Sequence, residues 1–342
     1  MRWDVGIDLG TENVRMAVWK EGPVLDAAAA LAFREGRDTP VCGGDAARQL
    51  YGRTCEGMSV VSPLRDGALE NNFIADRMFH WLYRQLELSG RKRRFNVLIT
   101  CAPFSRPVQR EALLSAAIDA GAAAAALIRS DAAVALGAGL DLNAPEAKLL
   151  VDAGAGKLSA TLFTFGRVAA YGYLPYGMNR IDERIQRILR TDCGYRIGRN
   201  GAREIKHTLG SALPKTAAAD VIMHMTGFSM FDRLPRNFDV ETRPVLEACE
   251  DVMRELTGLC ASVVDNAPEE LSADLNDAGA VLAGGGAEMT GLDKRIGDAL
   301  GIPCRLAEAP STCGIRGVYR IMENPDDYKA AFMDQKFNAA WR

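Results

Sequence analysis

The sequence predicts an α/β protein with a duplicated core arranged as two lobes. The chain has 342 residues, and because compact domains commonly span roughly 100–200 residues, two of them are expected. Strand-like apolar segments alternate with segments whose apolar residues recur at helical spacing, which is typical of α/β folds. A unit of strand, aspartate, glycine-bearing turn and second strand occurs at Asp8 and again 144 positions later at Asp152. Two copies of one unit indicate a duplicated architecture.

Composition and charge exclude several classes of protein. Hydrophobic residues make up 48% of the chain and charged residues 25%, the proportions of an ordinary globular protein. The net charge of −3 provides no strongly basic field, so we expect no nucleic-acid partner. No apolar run approaches the roughly 18 residues of a membrane-spanning helix, and the N-terminus lacks the pattern of a secretory signal peptide. We therefore expect a cytoplasmic protein.

The short motifs of several enzyme classes are missing from the sequence. Its eight cysteines and three histidines are scattered, without the paired spacing of a zinc site. There is no G-x-S-x-G elbow of a hydrolase, no P-loop and no G-x-G-x-x-G that opens a βαβ unit. Zinc enzymes, serine hydrolases, P-loop proteins and dinucleotide-binding folds are therefore disfavoured.

The first half of the chain begins with a predicted hairpin. Strands at 5–9 and 14–19 are joined by the turn at 10–13, whose composition suits a tight connection. A cluster of turn residues at 143–146 marks the boundary of this half. The other elements predicted here are strands at 27–33, 95–100 and 127–128 and helices at 71–88, 108–121 and 131–140.

The second half restarts the same order of elements. A strand at 148–152 ends in Asp152 and leads through the turn at 153–157 into two further strands. Residues 214–240 are expected to form the strands and turns of a small inserted subdomain, and the tail beyond Pro325 is expected to be helical. The remaining predictions are strands at 158–165, 167–174 and 279–283 and helices at 180–191, 201–213, 242–266 and from 292 onward.

Three glycine-bearing turns, each after a predicted strand, carry the chemistry of the sequence. They begin at Gly10, Gly154 and Gly284. Glycine allows the backbone to approach a ligand closely, and successive N–H groups in such turns form a concave site for anions. Asp8 and Asp152 add a carboxylate beside two of the turns, which suits a magnesium nucleotide because Mg²⁺ prefers oxygen ligands. The third turn lacks the aspartate and would suit the sugar or base.

The order and spacing of these motifs resemble those of a known superfamily. "VGIDLGTENVRMAVW" (5–19) is similar to the first phosphate motif of actin, sugar kinases and heat-shock chaperones. "LLVDAGAGKLSATLF" (149–163) resembles the second phosphate motif and "AVLAGGGAEMTGLDKRI" (280–296) the adenosine motif. Within this superfamily the sequence resembles the MreB family of bacterial actins over about residues 4–320, and "NAPEELSADLNDAGAVLAGGGAEMTGLD" (266–293) is the most specific stretch.

This resemblance implies a duplicated actin-like ATPase fold with two lobes around a nucleotide cleft and a small inserted subdomain in each lobe. It implies that the chain binds ATP and Mg²⁺ and forms filaments under the membrane. Such filaments would organise cell-wall synthesis and determine cell shape, with membrane proteins of cell-wall synthesis and shape determination as partners. Lobe I would span 1–144 with an insert near 34–60, and lobe II would span 145–320 with an insert at about 183–242. Residues 321–342 would form a C-terminal tail.

The resemblance also assigns roles to individual residues. Asp8 and Asp152 would arrange the Mg²⁺ ion and its waters. The nucleotide would be bound by the first phosphate turn, the second phosphate turn, the nucleoside-side helix and the adenosine turn. Those residues are Gly10, Thr11, Glu12 and Asn13; Gly154, Ala155, Gly156 and Lys157; Arg199, Asn200, Gly201, Ala202 and Lys206; and Gly284, Gly285, Gly286 and Ala287.

The sequence departs from the family pattern at three places. Ala155 and Lys157 stand where the second turn usually has glycine and threonine, so a Cβ is added near the phosphate and Lys157 could contribute a point charge to it. Ser130 occupies the position of the glutamate that orients the attacking water. Asp131 follows it, but one position on a helix turns a side chain by about 100°, so Asp131 should point elsewhere. We therefore expect ATP hydrolysis to be slow or lost.

The segment expected to contact the membrane is basic. Family members use an apolar loop or an N-terminal amphipathic helix, whereas this chain has Arg91, Lys92, Arg93 and Arg94 at the corresponding loop. Four cations near anionic headgroups would contribute about 1 kcal/mol each, so the membrane surface is a possible partner through charge, and a solvated loop is the alternative.

Two alternatives to the filament-forming protein remain open. A small-molecule kinase of the same superfamily would need a carboxylate base, for which Asp131 is the one available residue. A nucleotide-binding scaffold that has lost hydrolysis would need no such base.

Overall fold

The chain forms two compact units. The structure, a computed structural model, describes residues 2–54, 56–88, 94–213 and 221–338. The first unit comprises residues 1–145, 163–167 and 307–342, and the second comprises residues 146–162 and 168–306.

A six-stranded mixed sheet forms the core of the first unit. Strand β1 (Val5–Leu9) lies at its centre, and the strand order is β19-β10-β9-β1-β2-β3. β1 is antiparallel to β2 and parallel to β9, which confirms the predicted opening hairpin. The elements up to residue 137 are β1, β2 (Asn13–Val18), β3 (Gly22–Ala28), β4 (Leu31–Arg34), β5 (Cys42–Gly43), α1 (Asp45–Gln49), β6 (Met58–Val61), β7 (Leu64–Arg65), β8 (Ala68–Leu69), α2 (Asn72–Leu88), β9 (Asn96–Cys101), α3 (Pro107–Asp119), β10 (Ala124–Arg129) and α4 (Ser130–Gly137).

The second sheet repeats this arrangement with five strands in the order β13-β12-β11-β17-β18. Its central strand β11 (Lys148–Ala153) is parallel to β17, which is parallel to β18. The elements are β11, β12 (Leu158–Thr164), β13 (Arg167–Leu174), α5 (Asn179–Thr191), β14 (Tyr195–Arg196), α6 (Arg199–Leu209), β15 (Ile222–Ser229), β16 (Pro235–Glu241), α7 (Thr242–Asp265), α8 (Ser272–Ala278), β17 (Ala280–Ala283), α9 (Leu292–Leu300) and β18 (Cys304–Leu306).

The two sheets share a five-stranded topology, to which the first sheet adds β19, and this confirms the duplicated α/β fold. In each sheet a three-stranded meander leads out from the central strand on one side, β1-β2-β3 in the first and β11-β12-β13 in the second. On the other side two strands run parallel to the central strand. Asp8 and Asp152 occupy matching places on the central strands.

Each unit carries a small additional sheet. In the first unit β4, β5 and β6 form three antiparallel strands, and α1 packs near them over a small alanine cluster of Ala28, Ala30, Ala32 and Ala47. In the second unit β14, β15 and β16 form an antiparallel sheet, where the rings of Tyr195 and Phe238 stack with centroids 4.1 Å apart.

The C-terminal segment joins the first unit, and its last part is a strand. Helix α10 (Cys313–Glu323) packs against α4 and β1, so residues 307–320 belong with the first unit although the sequence grouped them with lobe II. Strand β19 (Phe332–Phe337) pairs antiparallel with β10. The helical prediction for this tail was wrong, because the exposed edge of β10 offers backbone groups that only an extended segment can pair with.

Candidate functional site

The first and second turns have the same backbone geometry. The Gly10 N–H donates to the Asn13 carbonyl at 3.0 Å, and the Gly154 N–H donates to the Lys157 carbonyl at 2.9 Å. A Cβ at Gly10 would lie 2.8 Å from the Asn13 oxygen, and one at Gly154 would lie 2.9 Å from the Lys157 oxygen. Both turns therefore require glycine for the same steric reason.

Asp8 is fixed in place by a buried threonine. The Thr100 hydroxyl, at the end of β9, donates to Asp8 Oδ1 at 3.0 Å and accepts from the Leu9 N–H at 3.0 Å. On its other side, a Cβ at Gly314 would lie 2.2 Å from Asp8 Oδ2. Gly314 is in the first turn of α10, where the positive end of the helix dipole favours a carboxylate.

The first turn is contacted by the side chain of Arg48 and by the backbone of Gly67. The Arg48 guanidinium, in α1, donates to the Glu12 carbonyl at 2.9 Å and to the Asn13 side-chain oxygen. The Thr11 hydroxyl accepts from the Gly67 N–H at 3.2 Å. These contacts restrict the turn to one conformation, so its backbone groups are preorganised.

Asp152, at the second turn, is paired with a cation from its own turn. The Lys157 ammonium lies 2.5 Å from Asp152 Oδ2 and 3.3 Å from the Ser159 hydroxyl. The side chains of Asp152 and Lys157 are only 8% and 12% exposed. This ion pair is therefore largely buried. Removing either partner of such a pair strongly lowers the stability of the folded protein.

The third turn lies directly against the second. Because β11 and β17 are parallel, with Asp152 beside Ala283, the segments that follow them leave the same edge of the sheet. Gly284 has a φ of 85°, and a Cβ there would lie 2.6 Å from Asp152 Oδ1. A Cβ at Gly286 would lie 2.8 Å from the Ala153 carbonyl. Gly285 and Ala287 belong to the short 3₁₀ helix that follows, Gly285–Glu288.

Helix α5 begins on the second turn. The backbone N–H groups of Met178 and Asn179 donate to the carbonyls of Gly154 and Ala155, each at 3.0 Å. A Cβ at Gly177 would lie 2.4 Å from the Ala155 backbone. These contacts turn both carbonyls towards α5 and fix the conformation of the second turn. Gly156 within that turn is buried.

The nucleoside-side helix predicted from the sequence is α6. Its first residues, Arg199 and Asn200, are exposed, Gly201 is partly buried and Ala202 is buried. Lys206, predicted to line the nucleoside side, also has partners in the protein. Its ammonium lies 2.8 Å from the buried Asp182 carboxylate and donates to the Met178 carbonyl at 3.1 Å.

His207, the residue after Lys206, has a perturbed pKa. The pKa of His207 is lowered, first by partial burial and then by the charges of Lys206 and Arg203.

The structure places Ser130 and Asp131 at the start of α4, after β10. Asp131 is fully buried, and the Arg129 guanidinium donates to its two carboxylate oxygens at 3.1 and 2.6 Å. Its carboxylate also accepts from the Ala132 N–H at 2.8 Å. The Ser130 hydroxyl is buried and finds no hydrogen-bond partner among the described residues. Asp131 thus serves the helix start, and Ser130 brings no negative charge.

The two aspartates differ in what they can offer to a divalent cation. Asp8 offers carboxylate oxygens of the kind that Mg²⁺ prefers. Asp152 does not fit, because the Lys157 ammonium already lies on one of its oxygens. Among the described residues, no group of three or more His, Cys, Asp or Glu side chains is placed to hold a metal ion.

Three residues that organise these turns were not found from the sequence: Arg48, Thr100 and Gly314. Each contacts its turn from a position at least 35 residues away in sequence. The sequence contains a local signal for Thr100 only, because this residue ends the strand predicted at 95–100 and is followed by a Cys-Ala-Pro loop. A contact between distant segments leaves no periodic trace in a single sequence.

Of the predicted basic segment, Arg94 is the residue that the structure describes. Arg94 is exposed, whereas Arg91, Lys92 and Arg93 lie outside the described residues. In the described part of the chain, none of the helices combines the length and hydropathy that crossing a membrane requires.

Two equivalent sheets, each with an aspartate and a glycine-closed turn after its central strand, define an actin-like protein. The MreB/Mbl family matches residues 2–330, and the chain belongs to this family. The cell shape-determining protein MreB of Escherichia coli strain K12 is 30% identical over 328 residues, which cover 94% of each chain.

Solved structures agree on the fold. MreB5 of Spiroplasma citri bound to ADP superposes with a TM-score of 0.89 at 24% identity, covering 96% of this chain and 98% of the other, and that protein is also known bound to AMPPNP. The MamK double helical filament superposes with a TM-score of 0.77 at 21% identity, covering 94% and 98%.

Proposed function

We propose that this chain is an ATP-binding, filament-forming actin-like protein that takes part in cell-shape determination and in the spatial organisation of cell-wall synthesis. One observation carries the proposal: both turns close with the same hydrogen bond and the same requirement for glycine, at Gly10 and Gly154. Such turns suit phosphate groups because successive N–H groups within one turn form a concave site for anions. The relatives support it, since MreB5 binds ADP and AMPPNP, MamK forms filaments and MreB of E. coli determines cell shape.

In this proposal each turn supplies phosphate contacts. The backbone N–H groups of the turn that begins at Gly10 and of the turn that begins at Gly154 would donate to phosphate oxygens. The turn at Gly284 and the exposed start of α6 would serve the nucleoside. A magnesium ion, where one is bound, supplies charge neutralisation to the phosphates, and Asp8 is the residue placed to accept hydrogen bonds from its water ligands.

Weak hydrolysis is the second candidate for this site. The buried hydroxyl of Ser130 cannot act as a base at neutral pH, and Asp131 is engaged by Arg129. Without a carboxylate to orient the attacking water, ATP hydrolysis would lack general-base catalysis, which commonly raises a rate by a factor of about 10²–10⁴. The same engagement of Asp131 argues against a small-molecule kinase, which would need a free carboxylate base.

Membrane attachment is proposed through charge alone. Arg94 is exposed, and it ends the basic run that begins at Arg91. Anionic headgroups would attract this run, and the attraction would fall within a Debye length of the surface.

The filament proposal is tested by sedimentation and negative-stain electron microscopy with ATP and Mg²⁺, with ADP, and without nucleotide. We expect pelleted filaments with ATP, because head-to-tail contacts that do not close generate open polymers. A chain that stays monomeric under every condition would contradict the proposal.

A further inference from the structure

The ion pair at the second turn changes what this turn can offer to a phosphate. An ammonium has three N–H donors. In Lys157 one of them points to Asp152 Oδ2 at 2.5 Å and a second lies near the Ser159 hydroxyl at 3.3 Å. Asp152 is on β11 and Ser159 on β12, so the ammonium is held beside the two strands that the turn joins. Its third N–H donor is used by neither of these two partners.

A divalent cation and this ammonium compete for the same carboxylate. Asp152 is buried, and like charges repel more strongly where water is excluded. A metal ion whose waters were bound by Asp152 would lie beside the Lys157 ammonium. It would either displace that ammonium or bind more weakly because the two positive charges repel each other. Displacing it leaves a buried lysine unpaired, which is costly.

We propose that Lys157 supplies the positive charge to the nucleotide's phosphates at the second turn, so that this chain binds a nucleoside di- or triphosphate with little dependence on a divalent cation. The inference rests on the proposed nucleotide binding and specifies its form. Lysine is a point-charge ligand for phosphate, and the Asp152 carboxylate holds it in position as a positioning residue.

A second departure is consistent with this form of binding. Metal-assisted hydrolysis needs an oriented water as well as the metal. Ser130 lacks the carboxylate for that task, and its hydroxyl has no partner among the described residues. A turn that binds nucleotide without a metal and a helix start that does not orient water both favour a bound, slowly hydrolysed nucleotide.

The test is the affinity for AMPPNP, measured by isothermal titration calorimetry in MgCl₂ and in EDTA. For the unaltered chain we expect the two dissociation constants to agree within about threefold. Lys157→Thr frees Asp152 and restores the hydroxyl of the family pattern, so its affinity should become at least about tenfold higher in MgCl₂ than in EDTA. Lys329→Thr, at an exposed position of the first unit, removes the same charge outside the motifs of the nucleotide site and should behave as the unaltered chain does.

Each outcome decides the inference. Binding by the unaltered chain in MgCl₂ alone overturns the role of Lys157 and leaves the proposed function standing. No binding in either buffer overturns both. An equal loss of affinity for Lys157→Thr in both buffers would make the ion pair purely structural and would overturn the inference. If that variant does not fold by circular dichroism, the response of the unaltered chain to EDTA still decides.

Discussion

At the scale of single residues, we expect Ser130 to limit the rate at which a bound nucleotide is hydrolysed. Its hydroxyl is buried at the first residue of α4, where the resemblance to the family implies a water-orienting glutamate. Replacing it, in Ser130→Glu, supplies a carboxylate at that position. We expect phosphate release with ATP and Mg²⁺ to rise at least about tenfold, since general-base catalysis commonly contributes about 10²–10⁴.

The control is Ser262→Glu, at an exposed position of α7. It makes the same chemical change away from the turns and should leave phosphate release unchanged. If the unaltered chain already hydrolyses ATP rapidly and Ser130→Glu adds nothing, the assignment of position 130 is wrong.

Much of the candidate site at this scale could be predicted from the sequence, because Asp8, Asp152 and the three turns are local motifs. The engagement of Lys206 by Asp182 and of Asp131 by Arg129 could not. A residue's position in a motif predicts its place on the backbone, whereas the partner of its side chain depends on tertiary packing. Lys157 shows the same point, because the sequence left it open whether it faces solvent or phosphate and the structure pairs it with Asp152.

At the scale of elements, helices α4 and α10 approach each other through two glycines. A Cβ at Gly317 would lie 1.6 Å from the Ala133 carbonyl oxygen, and one at Gly137 would lie 1.8 Å from the Cys313 carbonyl oxygen. Both obstacles are backbone atoms, so no side-chain rotation can relieve the overlap. The contact also positions Gly314, beside Asp8.

Gly317→Ala should therefore lower the free energy of unfolding by about 1–3 kcal/mol, the usual cost of overpacking. Gly258→Ala is the matched control, because it lies on the exposed face of α7 with no heavy atom within 4 Å of the added Cβ. It should raise the free energy of unfolding by about 0.5–1 kcal/mol, since alanine is the better helix former. Urea denaturation measures both, and equal stability of the two variants would refute the close packing.

Elements with a strong local pattern were predicted over most of their length, and elements with a weak one only in part or not at all. The hairpin of β1 and β2 and the long helix α7 follow from turn chemistry and apolar periodicity. Strand β10 was predicted only at 127–128, because it begins with alanines at 124–126, which are buried although alanine favours helices. Strand β19 has the composition of a surface segment and is extended because it pairs with β10.

At the scale of the whole molecule, attachment to a membrane should depend on salt. Liposome flotation with anionic and with neutral vesicles tests this, at low and at high ionic strength. We expect flotation with anionic vesicles at low salt and its loss at high salt, because screening shortens the range of the attraction. Arg94→Ala should weaken it, and Arg190→Ala, at an exposed position of α5, should not. Flotation that is insensitive to salt would exclude attachment through charge.

Both turns are proposed to bind the same nucleotide, although they belong to different halves of the duplicated fold. Asp8 and its turn belong to one compact unit, and Asp152 and its turn belong to the other. The sequence predicted the duplication from the repeated unit of strand, aspartate, glycine-bearing turn and strand, and the five-stranded topology that the two sheets share confirms it.

The most direct measurement is a calorimetric titration of ATP into the unaltered chain, Gly10→Ala and Gly154→Ala, with Gly258→Ala as the control. We predict that the unaltered chain and Gly258→Ala bind one ATP, and that each turn variant binds at least about tenfold more weakly because its turn backbone must shift. ATP that does not bind, or that binds equally well to all four proteins, would contradict the account.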